Sequence, residues 1–145
     1  MSARKLFLQR EAADIANTAK LIAALLREES LSEYQVIALG TLLQNAYSGV
    51  ERILRFLMQE KGIKLAKSED WHKKLLAASH RAGLVTDEEH PVLAELLSFR
   101  HLHVHGYAFK LKVARLRELA APVPDLCREF LSEIERRQGE ARGSP

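Results

Sequence analysis

The 145-residue sequence predicts an all-α fold, a single-domain up-and-down helical bundle of four to five helices. Three observations predict it. Apolar residues recur at alternating steps of three and four along most of the chain, the spacing that lines one side of a 3.6-residue helix. Ser32 with Gln35 and Thr86 with Glu89 have capping-box spacing, and Gly62, Gly83 and Gly106 stand where helices would stop. No stretch alternates in the manner of a strand, and no internal repeat or Gly-rich phosphate loop is found. A chain of this length is one domain and buries most of the apolar surface of its unfolded form. The helical domain is expected over residues 1–138, with 139–145 a polar, frayed tail.

Leu8, Ala12, Ile15, Ala19, Ile22 and Leu26 share one face of a first helix. Ser32 and Gln35 open a second near Glu33, in which Val36, Leu39, Leu43, Ala46, Val50, Ile53 and Leu57 form the main apolar row. Tyr47, Leu54 and Met58 widen it, and Gly62 ends it, so this is the longest helix and the expected spine. Glu51 falls on the widened face, where an unpaired carboxylate is costly to bury. Its partner is either Arg100 or, in an exposed pair one turn on, Arg55. The basic segment from Lys61 to Lys67 reads as a connector, with Ser68 as N-cap and Glu69 and Asp70 in the first turn of a third helix. Trp71, Leu75, Ala78 and Ala82 are its buried face, Gly83 its end, and His72 and His80 its surface histidines.

A fourth helix starts between Thr86 and Pro91, since proline is comfortable only in a first turn, and runs to about His105. Leu93, Leu97 and Val104 form its apolar stripe, and the residue that completes the stepping is Arg100, a charge in a core row. After a basic apolar loop, Ala108 to Lys112, come Val113, Leu116 and Leu119; Pro122 and Pro124 then impose a break or kink before the closing row Leu126, Phe130 and Ile134.

The net charge of +3 excludes a bulk polycation, so any nucleic-acid binding has to come from the distribution of charge. From Arg100 to Arg117 there are five Lys or Arg and three His with no acid. The single cysteine, Cys127, cannot form an internal disulfide and is expected to be a buried small hydrophobe. No apolar run is long enough for a signal sequence or a membrane span, so the expected location is cytoplasmic, with no membrane partner.

The densest chemistry lies in Phe99 to Tyr107, with three of the six histidines. His101 and His105 lie within about 40° of each other around the helix, Arg100 about 140° from His105, and His103 falls near the Leu96 and Phe99 directions. Three explanations stay open. His101 and His105 have the spacing of two metal ligands, but no further ligand at suitable spacing accompanies them, so no metal and no cofactor is expected. Arg100 salt-bridged to Glu51, with histidines packed at a helix end, would be purely structural. A phosphate-cleaving role needs a cation and an imidazole that titrates near neutral pH, and this turn has both. Because Arg100 and His105 point apart, that role fits best a site shared by two copies of the helix across a two-fold axis.

Arg100, four residues, His105, one residue and Tyr107 at the end of a fourth helix, with Tyr47, Gly49 and Glu51 on the second and Asp70, Trp71 and His72 opening the third, are the motifs by which the chain resembles the HEPN superfamily. In particular it resembles, over most of its length, the HepT-like ribonuclease toxins that pair with a minimal nucleotidyltransferase antitoxin. The resemblance implies a HEPN-like bundle and metal-independent cleavage of transfer or messenger RNA at a cleft in a homodimer or higher oligomer. Arg100 would stabilise the phosphorane charge, His105 would act as acid or base, and His101, where asparagine or aspartate is commoner in the family, would orient the phosphate. Lys110 and Lys112 would bind RNA, Glu51 would support Arg100, and Tyr107 matches the tyrosine that the antitoxin modifies with AMP. Tyr107 could equally pack against the end of the second helix. The resemblance also accommodates a catalytically silent module that binds nucleotide or a partner protein.

Overall fold

The computed structural model describes residues 2–65, 68–104 and 113–143, and of 101–104 and 140–143 the backbone alone. It is the all-α bundle that the periodicity predicts, with helices α1 (Ala3–Leu26), α2 (Glu33–Glu60), α3 (Trp71–Arg81), α4 (Glu89–Val104), α5 (Val113–Ala120) and α6 (Val123–Gly143) and no strand among the described residues. None of these helices is long and apolar enough to cross a membrane. The break expected near the prolines separates α5 from α6. Pro122 accepts the first amide bond of α6 from Leu126 at 3.1 Å, and Pro124 lies in the first turn, where a missing amide sacrifices no helical bond. Helix α6 continues through Gly143, past the expected domain end at Gln138.

The caps are local chemistry. Ser32 and Gln35 form a reciprocal capping box on α2, Gln35 N–H to Ser32 Oγ at 3.2 Å and Ser32 N–H to Gln35 Oε1 at 2.9 Å. Thr86 and Glu89 do the same ahead of α4, at 3.0 and 2.9 Å. Both α2 and α3 end in Schellman turns around a glycine of positive φ. At Gly62 (φ 77°) the amide of Ile63 reaches Met58 O, and at Gly83 (φ 78°) that of Leu84 reaches Ser79 O. One start differs from expectation. Helix α3 begins at Trp71, with Asp70 rather than Ser68 in the N-cap position; the Ser68 hydroxyl donates to Asp70 Oδ1 at 2.6 Å, which holds that carboxyl below its usual range.

Helix α2 is the spine, packed against each of the other five helices. Leu39, Leu43, Val50, Ile53 and Met58 are almost wholly enclosed, as are Ile15 and Ile22 of α1, Leu75 of α3, Leu93 and Leu96 of α4 and Phe130 of α6. Arg4, at the start of α1, pairs with Glu60 at the end of α2 and reaches Gln138 near the end of α6, so α1 runs antiparallel to both. Arg117 of α5 donates to the carbonyl of Glu28 at 2.8 Å, just beyond α1, and Arg137 of α6 to that of Gly83, also at 2.8 Å. Cys127 is buried; burial, then the charge of Glu89, pushes its thiol up to about 12.

The stripe of α4 is shifted from its expected phase. Leu93, Leu96 and Phe99 are the buried positions, while Leu97 and Arg100 are only partly covered at the margin. Leucines at 93, 96 and 97 with Phe99 span much of the helix circumference, so periodicity alone admits either row. Packing of α4 against α2, α3 and α5 selects the one that faces all three.

Gly49 lies where α1 packs tightly on α2. A Cβ there would stand 2.6 Å from Ile15 Cγ1, an inner atom of a side chain with almost no exposure. Gly139, also helical, has nothing within 4 Å of a built Cβ. Overpacking costs about 1–3 kcal/mol and outweighs the roughly 1 kcal/mol gained from removing a helical glycine. Gly49→Ala is therefore expected to lower the urea midpoint and Gly139→Ala to raise it; shifts of the same sign would contradict the packing described.

Candidate functional site

Three side chains, from three helices, converge on the carboxylate of Glu51. Helix α2 turns Tyr47 and Glu51 to the same side, one turn apart, and both are buried. The Tyr47 hydroxyl donates to Glu51 Oε2 at 2.8 Å, and His72 Nδ1, from the first turn of α3, stands 2.7 Å from the same oxygen. Arg100 Nη1 of α4 is 3.4 Å from Oε1. Both carboxylate oxygens are thereby met by donors from three helices, which is the condition under which a buried carboxylate is tolerated.

The electrostatics are asymmetric. Burial, reinforced by the negative charge of Glu51, pushes the Tyr47 hydroxyl far above its ordinary value, so it stays protonated and keeps donating. An ionised Glu51 can only accept, which puts a hydrogen on His72 Nδ1 and leaves Nε2 as the acceptor of the neutral ring. Arg100 is the outermost member, its side chain 29% exposed against 9% for Glu51. Among the described residues its side-chain hydrogen bond is the one long contact to Oε1, which uses one of the five guanidinium N–H donors. The arrangement can hold an anion at Arg100 while the carboxylate fixes that arginine from behind.

Of the two partners considered for Glu51, Arg100 occupies the position; Arg55 instead lies over the Trp71 ring, 5.3 Å from its centroid. His72 corrects its assignment as a surface histidine: its side chain is only 25% exposed and it is bound to Glu51. Helical phase on α3 does not reveal this, because the contact depends on how α3 lies against α2. The one sequence signal was its place in the Asp70, Trp71, His72 run. His80, expected at the surface, is half-buried, paired with Asp87 at 2.7 Å and stacked on His90. Among the remaining site candidates, His101 follows Arg100 on α4, with its backbone described. His105, Tyr107, Lys110 and Lys112 lie outside the described residues. Among the described residues no group of three or more His, Cys, Asp or Glu is arranged to hold a metal ion.

A family model described as HepT-like protein matches residues 38–139. The matched span begins within α2 and includes Tyr47, Glu51, His72 and Arg100. No curated protein and no solved structure matches the chain.

Removing the carboxylate strands every donor of this cluster, whereas removing the tyrosine hydroxyl leaves Glu51 with two partners. Glu51→Ala is expected to cost about 1–3 kcal/mol and Tyr47→Phe only about 0.5–1.5 kcal/mol in chemical denaturation at neutral pH. A larger loss for Tyr47→Phe would show that Glu51 is not the hub.

Proposed function

Since the chain belongs to the HepT-like proteins of the HEPN superfamily, we propose that it is the toxin-type endoribonuclease of a toxin-antitoxin pair, cutting transfer or messenger RNA without a metal ion in a cleft between two copies of the chain. The observation that carries this assignment is the presentation of Arg100. A guanidinium at the rim of the core, anchored by a buried carboxylate and reaching solvent, suits a doubly charged phosphorane better than it suits structural cross-linking alone.

In the proposed reaction the ribose 2′-oxygen attacks the adjacent phosphorus and loses its proton to an imidazole. The bond from phosphorus to the 5′-oxygen breaks, that oxygen takes up a proton, and a 2′,3′-cyclic phosphate remains. Arg100 stabilises the charge that builds on the non-bridging oxygens, His105 moves the protons and His101 orients the phosphate. Glu51, with Tyr47 and His72 behind it, is a positioning residue for Arg100. Lys110 and Lys112 hold the flanking RNA backbone. A second copy related by a two-fold axis brings its own Arg100 and His105 to the same cleft, which answers the separation of about 140° that helical spacing of the two positions implies. The partner nucleotidyltransferase silences the site by placing AMP on Tyr107, which adds bulk and negative charge where RNA has to lie.

Cleavage of RNA in EDTA by the parent protein is expected to fall at least about a hundredfold in both Arg100→Ala and His105→Ala. Equal background from all three would sink the assignment. Co-expression with the nucleotidyltransferase is expected to add one AMP to the chain, detectable by mass spectrometry and absent from Tyr107→Phe. A monomer by light scattering at micromolar concentration would remove the shared cleft.

A further inference from the structure

The Schellman turn at Gly62 swings the chain off the axis of α2, and a cavity of about 690 Å³ opens between the last turn of that helix and the start of α3. Met58, Leu75 and the indole of Trp71 form its apolar wall, and Arg55, Gln59 and Lys64 its polar one; among the described residues no acidic side chain lines it. Its size is that of a small-molecule site, and its walls combine an aromatic face, an amide and two cations. Those are the elements that receive a nucleotide: a π face for the base, donor and acceptor groups for its edge, positive charge for its phosphate.

The cavity is joined to the Arg100 site through side chains in contact. The Trp71 and His72 rings stack with centroids 3.7 Å apart, His72 binds Glu51, and Glu51 meets Arg100. Arg55, itself exposed, holds its planar guanidinium 5.3 Å from the Trp71 centroid. A planar cation on an indole marks a π face that a planar base can take over, and the displaced guanidinium is then at hand for the phosphate.

We propose that this cavity seats one nucleotide of the RNA strand, its base against Trp71 and its phosphate on Arg55 and Lys64, beside the nucleotide whose phosphate Arg100 engages. The inference rests on the RNA-cleaving assignment and adds to it a subsite for a neighbouring nucleotide. A peptide segment of a protein partner is the other conceivable occupant; two cations with no acid, and an aromatic face already carrying a planar cation, favour the nucleotide.

Trp71 is the only tryptophan of the chain, so its emission reports on the cavity directly. The full chain is titrated with adenosine 5′-monophosphate and cytidine 5′-monophosphate, with ribose 5-phosphate as the control that lacks a base. Saturable quenching by the nucleotides, little or none by ribose 5-phosphate, and a roughly tenfold weaker midpoint in the Arg55→Ala, Lys64→Ala double variant are expected. Both side chains are exposed, so the variant keeps the fold, which circular dichroism checks. No quenching, equal quenching by ribose 5-phosphate, or an unchanged midpoint in the double variant would overturn the proposal. Cleavage of RNA in EDTA by the same preparation separates the two assignments. Cleavage without nucleotide quenching removes the subsite and leaves the nuclease; quenching without cleavage removes the nuclease and leaves a nucleotide-binding cavity.

Discussion

The carboxylate of Glu51 stands in the middle of the apolar face of the central helix, and that single placement constrains three helices at once. Taken out of water without partners, it would cost several kcal/mol or more. It persists because Tyr47 one turn earlier, His72 at the start of α3 and Arg100 near the end of α4 bring donors to its two oxygens. A slide of α3 or α4 along α2 by one turn would break one of these contacts and leave charge uncompensated. Apolar packing alone is more permissive, since one leucine can replace another along a ridge. Glu51 therefore sets the register of the bundle where hydrophobic contacts set only its compactness.

The rest of the frame serves that register through local devices. Two reciprocal capping boxes and two glycine-centred Schellman turns determine where α2, α3 and α4 begin or end, and so where Tyr47, His72 and Arg100 fall along their axes. The close approach at Gly49 brings Ile15 of α1 against the opposite side of α2. Arginines close the ends of the bundle: Arg4 joins α1 to α2 and α6, and Arg117 and Arg137 satisfy carbonyls beyond α1 and α3. The cluster around Glu51 is thus held from the core side and left open on the side of Arg100.

That openness gives the family membership a chemical meaning. An arginine bound wholly within the core would be a structural pin, and one wholly in solvent would lack a fixed direction. Arg100 lies between, anchored at one nitrogen and partly exposed. In the proposed nuclease this is the geometry of a preorganised phosphate clamp, since an already oriented guanidinium spends little reorganisation energy when charge builds up. Trp71 and His72 link the clamp to the cavity at the end of α2, and in the proposed nuclease neighbouring nucleotides of one strand would take adjoining places there.

Most of the frame was legible in the sequence. The row of α1, the wide face of α2, both capping boxes and the stops at Gly62 and Gly83 follow from spacing and from backbone groups that need partners within a few residues; the stop expected at Gly106 lies outside the described residues. The resemblance built on Arg100, His105 and Tyr107 pointed to the family that residues 38–139 match. Ser68 offers an N-cap for α3 by spacing, yet its hydroxyl binds the Asp70 carboxyl instead of a helix amide. Spacing puts the stripe of α4 one row from the buried one, because a helix apolar on most sides does not declare which side is innermost. Spacing along α3 leaves His72 at the surface, because its hydrogen-bond partner lies 21 positions earlier on another helix. Local sequence determined which segments are helical and where they stop, since caps and periodicity are satisfied within a turn or two. Only the tertiary structure decided which donors Glu51 collects, because those contacts join residues that meet only when α3 and α4 dock on α2.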